Sequence, residues 1–345
     1  MTLTQEKRYA EAQKELEGVP EPPSLNQRIA FFRLKAAIAS GLGEAERAAA
    51  EIESALALAP GDNGLLLAAA VAELHAGRLD IALQHARQAG NTAAGQELTG
   101  DILEKHGDYV EAAKAYQSAV VLAPEREEYR IALALEFAQH YTFEPAIDVL
   151  RHAAPLFPKS ARIRTLLGIS QYAVKHVDDA IEALTAAIDL DPSLEPAYAY
   201  LARVTLESTA APPQHTLDVM CRWNPEVCSA LKLRAARETD DAKLRNDAIE
   251  ELKGASADSA IARCELGRAY EWAGEWTQAR AQMEECVRLN PSAETHYRLG
   301  LIYGQLELPE LARKEMKLRN EAMQRASQDI ARHQDAVQAF QYVLK

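Results

Sequence analysis

The apolar and polar positions along the chain follow the pattern of amphipathic helices, with apolar residues recurring three and four positions apart. Three Ala-rich phrases carry the pattern best, and they read GDYVEAAKAYQSAVVLAP, HVDDAIEALTAAIDLDP and GEWTQARAQMEECVRLNP. The 16 Gly and 15 Pro residues fall almost entirely between such phrases, where they separate one helix from the next. The pattern predicts packed helices along the chain, and no stretch of it favours a β-sheet.

The helical phrases recur at a fixed period. Pro124, Pro158 and Pro192 each close a phrase and follow one another at intervals of 34 residues. Proline cannot continue a helix, and the residue before it is biased toward extended backbone, so this punctuation sets the period. Repeats of this length stack into a solenoid. Because each repeat packs only on its neighbours, we expect the 345 residues to form one continuous domain.

Small residues recur in register within the repeats. Matching positions are Leu266, Gly267, Tyr270, Ala279 and Met283 in one repeat, Leu299, Gly300, Tyr303, Ala312 and Met316 in the next, and Leu167, Gly168, Ala180 and Leu184 in the repeat that ends at Pro192. The pattern resembles the tetratricopeptide repeat, W-x2-L-G-x2-Y, then A-x3-F, then P, although the Trp is absent. Gly or Ala in one helix lets its partner helix approach to about 8–10 Å.

The resemblance implies an all-α fold, a right-handed α-solenoid of stacked helix-turn-helix repeats that ends in a C-terminal capping helix. It also leads us to expect a bacterial protein. We divide the chain into an N-terminal half-repeat (1–20), a regular array of about five repeats (26–192), degenerate repeats (193–258), two further repeats (259–325) and the capping helix (326–345). Because the first helix resembles the second half of a repeat, we expect a segment upstream of it. Whether that segment includes an export signal is left open.

The capping helix carries its own apolar face, formed by Val337, Phe340, Val343 and Leu344. This face packs either on the last repeat of the same chain or on a second subunit. A homodimer through the C-terminal helix is therefore one of two expectations.

Composition excludes several classes of protein. A formal net charge of -13 disfavours nucleic acid as a partner, because binding to a phosphate backbone depends on Lys and Arg. No apolar run approaches the roughly 20 residues of a membrane span, so we expect no membrane insertion. Phosphate-loop, serine-hydrolase and zinc-protease motifs are all absent, so we predict no catalysis, no cofactor and no metal. The compartment stays open between cytoplasm and, if an export signal was removed, periplasm.

Four cysteines lie in the less regular part of the array. Cys221 and Cys228 flank a predicted turn between helices, and Cys264 and Cys286 lie at the same level of two antiparallel helices. Both pairs can approach within the about 4.4–6.8 Å between Cα atoms that a disulfide needs. The alternative is four reduced thiols.

An aromatic cluster lies in the same part of the chain. Trp272 and Trp276, with Tyr270 nearby, surround a predicted turn. They either anchor a partner or pack against the neighbouring irregular repeat.

The family resemblance also implies where a partner binds. In the family, the first helices of the repeats line a concave groove that takes peptides or partner helices. The family's groove positions correspond here to Ile131, Leu135, Arg162, Thr165, Ile169, Tyr172, Ala199 and Arg203. We expect this apolar strip with its two arginines to hold a peptide or a helical segment, unless helix packing within the array uses up the apolar surface.

The sequence therefore predicts a non-enzymatic scaffold for protein–protein interaction. The alternative is a targeting or regulatory segment of a larger enzyme or envelope-assembly factor. The partner is expected to be a protein or a peptide in both cases.

Overall fold

The computed structural model describes residues 8–208 and 211–326, together with positions 334, 337 and 338. Within those residues the chain forms nineteen α-helices and no β-strand. It divides into two compact units, Met1–Phe137 and Ala138–Lys345.

The first unit is built from helix hairpins. Its helices are α1 (Tyr9–Leu16), α2 (Leu25–Gly41), α3 (Ala45–Leu58), α4 (Asn63–His75), α5 (Leu79–Gln88), α6 (Ala93–His106), α7 (Tyr109–Leu122) and α8 (Glu127–Gln139), the last of which extends two residues past the boundary. α2 pairs with α3, α4 with α5, and α6 with α7, while α3 packs on α4 and α5 on α6.

The second unit continues with the same kind of element. It holds α9 (Phe143–Ala153), α10 (Ala161–Ala173), α11 (Val177–Leu190), α12 (Glu195–Glu207), α13 (Gln214–Trp223), α14 (Pro225–Thr239), α15 (Ala242–Lys253), α16 (Ala260–Ala273), α17 (Trp276–Leu289), α18 (Ala293–Gln305) and α19 (Pro309–Ala326). Its closest hairpins are α10 with α11, α14 with α15, α16 with α17, and α18 with α19.

The small residues of the repeat motif bring the two helices of a hairpin together, as the sequence predicted. A Cβ atom added to Gly168 in α10 would lie 2.6 Å from Cγ of Leu184 in α11. One added to Gly267 in α16 would lie 2.8 Å from Cε of Met283 in α17. Gly100 and Gly300 face the side chains of Tyr116 and Met316 in the same way. Any larger residue at these positions would push the hairpin apart.

Caps and turns define the hairpins. The side chains of Asp62, Ser160 and Ser259 each accept a hydrogen bond from the backbone N–H three residues ahead, at the start of α4, α10 and α16. Within a hairpin the chain reverses through a residue with left-handed backbone, such as Gly274 (φ 73°) and Lys175 (φ 68°). Lys175 adopts a conformation that costs a side-chain-bearing residue about 1–2 kcal/mol.

The repeat that follows Pro192 departs from this pattern. Its second helix, α13, has only 10 residues and follows Pro212 and Pro213. It is held by Met220, which is fully buried, by a hydroxyl pair of Thr216 and Thr185 at 3.0 Å, and by its contact with α14.

Both predicted cysteine pairs form. Cys221 at the end of α13 is bonded to Cys228 in α14, and Cys264 in α16 is bonded to Cys286 in α17. Their Cα atoms lie 4.4 Å and 4.8 Å apart, respectively. The four cysteines of the chain are thus all paired.

Most of the predicted capping helix lies outside the described residues. Phe340, Val343 and Leu344, and with them the predicted dimer contact, fall in this part, whereas α19 is the last described helix. None of the helices in the described ranges combines the length and the apolar character that crossing a bilayer requires.

Candidate functional site

The eight residues predicted to line a groove divide into two classes by exposure. Leu135 and Arg162 are half-buried, and Ala199 and Arg203 are exposed. The other four are buried, with exposed fractions of 1% for Ile131, 0% for Thr165 and Ile169, and 3% for Tyr172. A partner cannot contact side chains at that depth, so these four are corrected from ligand-contacting to structural residues.

Packing within the second unit accounts for the burial of Thr165 and Tyr172. The Thr165 hydroxyl donates a hydrogen bond of 2.9 Å to the carbonyl of Ala161 in its own helix. The Tyr172 hydroxyl donates to Glu207 at 2.5 Å, and its ring meets the ring of Tyr200 edge-on, 6.0 Å between centroids. The first helices α10 and α12 therefore use this apolar strip to hold one another.

What α12 exposes here is a polar and aromatic surface. The Arg203 guanidinium lies 5.6 Å above the ring of Tyr200, in a cation–π arrangement. Tyr200 and Glu207 contact Tyr172, and Arg203 lies over Tyr200.

A cavity of about 600 Å³ opens in the second unit next to this surface. Its walls come chiefly from the first helices α12, α14, α16 and α18, with one residue from α17. They are Leu206, Glu207, Ser208, Leu233, Arg234, Arg237, Glu238, Glu265, Arg268, Ala269, Glu271, Trp272, Trp276, Glu294 and Arg298. The volume falls in the range of ligand pockets, about 300–1,000 Å³. Of these residues, the sequence pointed to Trp272 and Trp276 as an aromatic cluster and, through the family resemblance, to Leu206 as a groove position.

An alternating chain of charges runs along the cavity wall. Glu265 accepts from Arg234 at 3.5 Å and from Arg268 at 2.7 Å. Glu294 joins Arg268 at 2.7 Å to Arg298 at 3.1 Å, and Arg298 also reaches Glu271 at 3.1 Å. Burial acts to raise the pKa of Glu294, but the neighbouring Arg268 and Arg298 outweigh it and hold the pKa below its usual range.

Arg234 lies at the inner end of this chain of charges. Its side chain is 10% exposed, and it donates hydrogen bonds to the backbone carbonyls of Thr205 at 2.6 Å and of Leu206 and Ser208. Burial lowers the pKa of this guanidinium. Arg234 thus fixes the end of α12, which forms one edge of the cavity.

The two tryptophans lie at another edge. Trp272, near the end of α16, and Trp276, at the start of α17, are both half-buried. Trp276 packs against the apolar cluster around Met283, while the Arg245 guanidinium lies 5.3 Å from the ring centre of Trp272. The rings thus pack on the protein, including Arg245 of the irregular repeat, and they also line the cavity, while their contact with a partner stays a prediction.

The first unit presents an acidic surface on its first helices. Burial, followed by the charges of Asp101 and Glu128, raises the pKa of Glu97. Burial also raises the pKa of Asp101, which accepts a hydrogen bond of 2.6 Å from the Tyr116 hydroxyl. Burial and the neighbouring Glu104 raise the pKa of Glu136 to about 8. These carboxylates differ from the cavity of the second unit, where five glutamates are accompanied by four arginines.

Comparison with known proteins places the repeats in a family. A family model described as tetratricopeptide repeat matches residues 86–127, which contain the hairpin of α6 and α7. The small glutamine-rich tetratricopeptide repeat-containing protein 2 of Mycosarcoma maydis is 31% identical over 88 residues, which is 26% of this chain and 25% of that protein. The chain thus spans about a quarter of the length of this curated relative.

Solved structures of repeat proteins are similar at low identity. The C-terminal part of a TPR repeat-containing protein from Cytophaga hutchinsonii is 18% identical, with a TM-score of 0.49, over 75% of this chain and 95% of that one. YrrB, described as a TPR protein with an unusual peptide-binding site, is 21% identical, with a TM-score of 0.39, over 55% of this chain and 96% of that one. At these scores, the assignment depends on the repeats themselves.

Three observations agree on the repeating unit of this chain. The proline period, the Gly-to-side-chain contacts of the hairpins and the family match at 86–127 all describe the same unit of two helices. Residues 86–127 thus match the tetratricopeptide repeat, and the other hairpins of the described residues share its unit of two helices.

Proposed function

We propose that the protein is a non-enzymatic scaffold that binds a peptide segment of a partner protein on the first helices of its second unit. The cavity between α12, α14, α16 and α18 carries the proposal. Side chains from four separate repeats converge there, which is how a stacked array builds one binding surface from many short elements. If the chain is instead a targeting or regulatory segment of a larger enzyme or envelope-assembly factor, this binding role is unchanged.

The proposed surface includes the exposed members of the predicted groove in the second unit. Arg203 and Ala199 on α12 continue the surface that Glu207 begins at the cavity edge. Arginines beside aromatic rings suit a peptide, because the rings supply apolar contact and the charges fix the register.

A cross-linking selection tests this binding surface. A photoreactive residue, p-benzoylphenylalanine, replaces Arg203, Arg237 or, as a control, Arg222, all of which are exposed. Arg222 lies on the second helix α13 and does not line the cavity. We expect peptides enriched from a random dodecapeptide library to cross-link at positions 203 and 237. Equal cross-linking at position 222, or no enriched peptide at all, would reject the proposed function.

A further inference from the structure

The two disulfides of the second unit differ in their exposure. Cys264 and Cys286 are 9% and 0% exposed, and they belong to the apolar cluster between α16, α17 and α18. Cys228 is 5% exposed, whereas Cys221 is half-buried and is the most exposed of the four cysteines. Cys221 therefore offers a dissolved thiol an approach in the folded protein, while the bond between α16 and α17 is accessible only when that hairpin opens.

The positions of the two bonds in the fold differ as well. The buried bond joins α16 and α17, two helices of 14 residues each. Cys221 instead lies near the end of the 10-residue α13 and is bonded to Cys228 over a sequence separation of 7 residues. α13 has further contacts through the buried Met220 and through the hydroxyl pair of Thr216 and Thr185. Opening of this bond therefore does not require that the repeat unfolds.

We propose that Cys221–Cys228 is a site of thiol–disulfide exchange with a small thiol of the glutathione class, whereas Cys264–Cys286 is a structural crosslink. The thiolate of the small molecule attacks Sγ of Cys221 and forms a mixed disulfide there. The bond to Cys228 breaks, and its electron pair leaves on Sγ of Cys228. This proposal goes beyond the binding role proposed above and is independent of it.

A second small thiol completes the exchange. Its thiolate attacks the sulfur of the bound small molecule, so that Cys221 leaves as a thiolate and the disulfide of the small thiol is released. The protein disulfide gains two electrons, which come from the oxidation of two small thiols. The protons of those two thiols end on Cys221 and Cys228.

Access selects the sulfur that is attacked, because the charges around the other sulfur oppose one another. Cys228 is the fourth residue of α14, where the helix dipole favours the negative charge of a leaving sulfur. Glu226 lies in the first turn of the same helix, and its carboxylate disfavours that charge. The difference in exposure between Cys221 and Cys228 then decides, and we expect the mixed disulfide on Cys221.

Reduced glutathione added to the folded protein tests the proposal, with the second disulfide as a control in the same chain. Free thiols are alkylated at intervals, and each cysteine is followed by peptide mass spectrometry. We expect Cys221–Cys228 to open at least about tenfold faster than Cys264–Cys286, because exchange at a buried bond waits for local opening. In a denaturing concentration of guanidinium chloride, the two rates should lie within about threefold, since the fold no longer protects either bond.

Two serine variants identify the attacked sulfur. Cys228→Ser leaves Cys221 as a free thiol, and Cys221→Ser leaves Cys228. With an excess of oxidised glutathione, the mixed disulfide should form at least about tenfold faster in Cys228→Ser, because its thiol is the more exposed one. The circular dichroism of both variants is compared with that of wild type, so that the rates refer to folded protein.

Three outcomes overturn the proposal. Equal rates for the two bonds in the folded protein, or faster opening of Cys264–Cys286, would show that the exposure of Cys221 does not govern exchange. A mixed disulfide found on Cys228 would contradict the assignment of the attacked sulfur. If both bonds stay intact in the folded protein and open only in denaturant, both are structural crosslinks. The peptide selection does not depend on any of these results.

Discussion

Arg234 holds the end of α12, which forms one edge of the candidate site. The last carbonyls of a helix lack partners within it, and after α12 the chain runs into Pro212 and Pro213, which have no N–H to donate. The guanidinium of Arg234, from another helix, donates to the carbonyls of Thr205, Leu206 and Ser208 instead. One buried side chain thus supplies the donors that the carbonyls at the end of α12 need.

Replacing Arg234 should destabilise the second unit. In Arg234→Ala the carbonyls at the end of α12 lose a charged donor and Glu265 loses one of its two arginines. We expect the free energy of unfolding to fall by about 2–3 kcal/mol, the usual cost of buried polar groups left without a partner. Denaturant unfolding measures the loss, and amide hydrogen exchange at residues 201–207 locates it.

Arg237→Ala is the control, because Arg237 lies one turn further along α14 but is exposed. Its stability should stay within about 0.5 kcal/mol of wild type. Arg234→Lys should recover little, since an ammonium cannot reproduce the planar fork of a guanidinium. If Arg234→Ala unfolds together with Arg237→Ala, the contact with α12 contributes nothing to stability.

At the scale of the element, the close approach of the two helices in a hairpin depends on a glycine, which has no side chain. A Cβ atom on Gly168 would lie 2.6 Å from Cγ of Leu184, which is closer than real Cβ atoms approach. A Cβ atom on Gly304, near the end of α18, would meet nothing within 4 Å. Alanine substitutions at these two positions therefore measure the cost of overpacking separately from the gain in helix propensity.

Gly168→Ala should destabilise the protein by about 1–3 kcal/mol, because overpacking forces α10 and α11 apart. Gly304→Ala should instead stabilise it by up to about 1 kcal/mol, the gain in helix propensity. Thermal unfolding of both variants measures the difference. A Gly168→Ala, Leu184→Ala double variant should be less destabilised than the two single losses together predict. A Gly168→Ala variant as stable as Gly304→Ala would show that the hairpin does not depend on this contact.

The same element shows what the repeat motif could predict. The positions of Gly168, Gly267 and Gly300 in the motif were enough to identify the contact surface of each hairpin, because a helix pair approaches only where side chains are small. The motif did not predict that Ile169 and Tyr172 are buried. Their exposure depends on how closely the next first helix approaches, and Tyr200 and Glu207, which cover Tyr172, are not part of the motif.

At the scale of the whole molecule, the array of helices followed from the period, whereas the spacing of the cysteines left two disulfides and four reduced thiols as alternatives. The cavity did not follow from the period, because its walls combine residues about 30 positions apart, such as Arg234, Glu265 and Glu294, that no local pattern connects. The signal was present as an irregular repeat with short α13 and two adjacent prolines. Where a regular array of repeats is interrupted, its first helices no longer pack in the common way.

The two disulfides both lie in the second unit, which predicts an uneven response to reduction. Each closes a short loop, with sequence separations of 7 and 22 residues, and a crosslink of this kind stabilises by about 2–4 kcal/mol.

The double variant Cys264→Ala, Cys286→Ala tests this most cleanly. Cys286 is fully buried at the position where the repeat motif carries Ala, so its replacement leaves the packing nearly intact. Hydrogen exchange should speed up in α16 and α17 and stay unchanged in α2 to α7, since repeats couple only to their neighbours. Equal loss of protection in residues 25–122 would mean that the array unfolds as one cooperative body and that the division into two units has no thermodynamic counterpart.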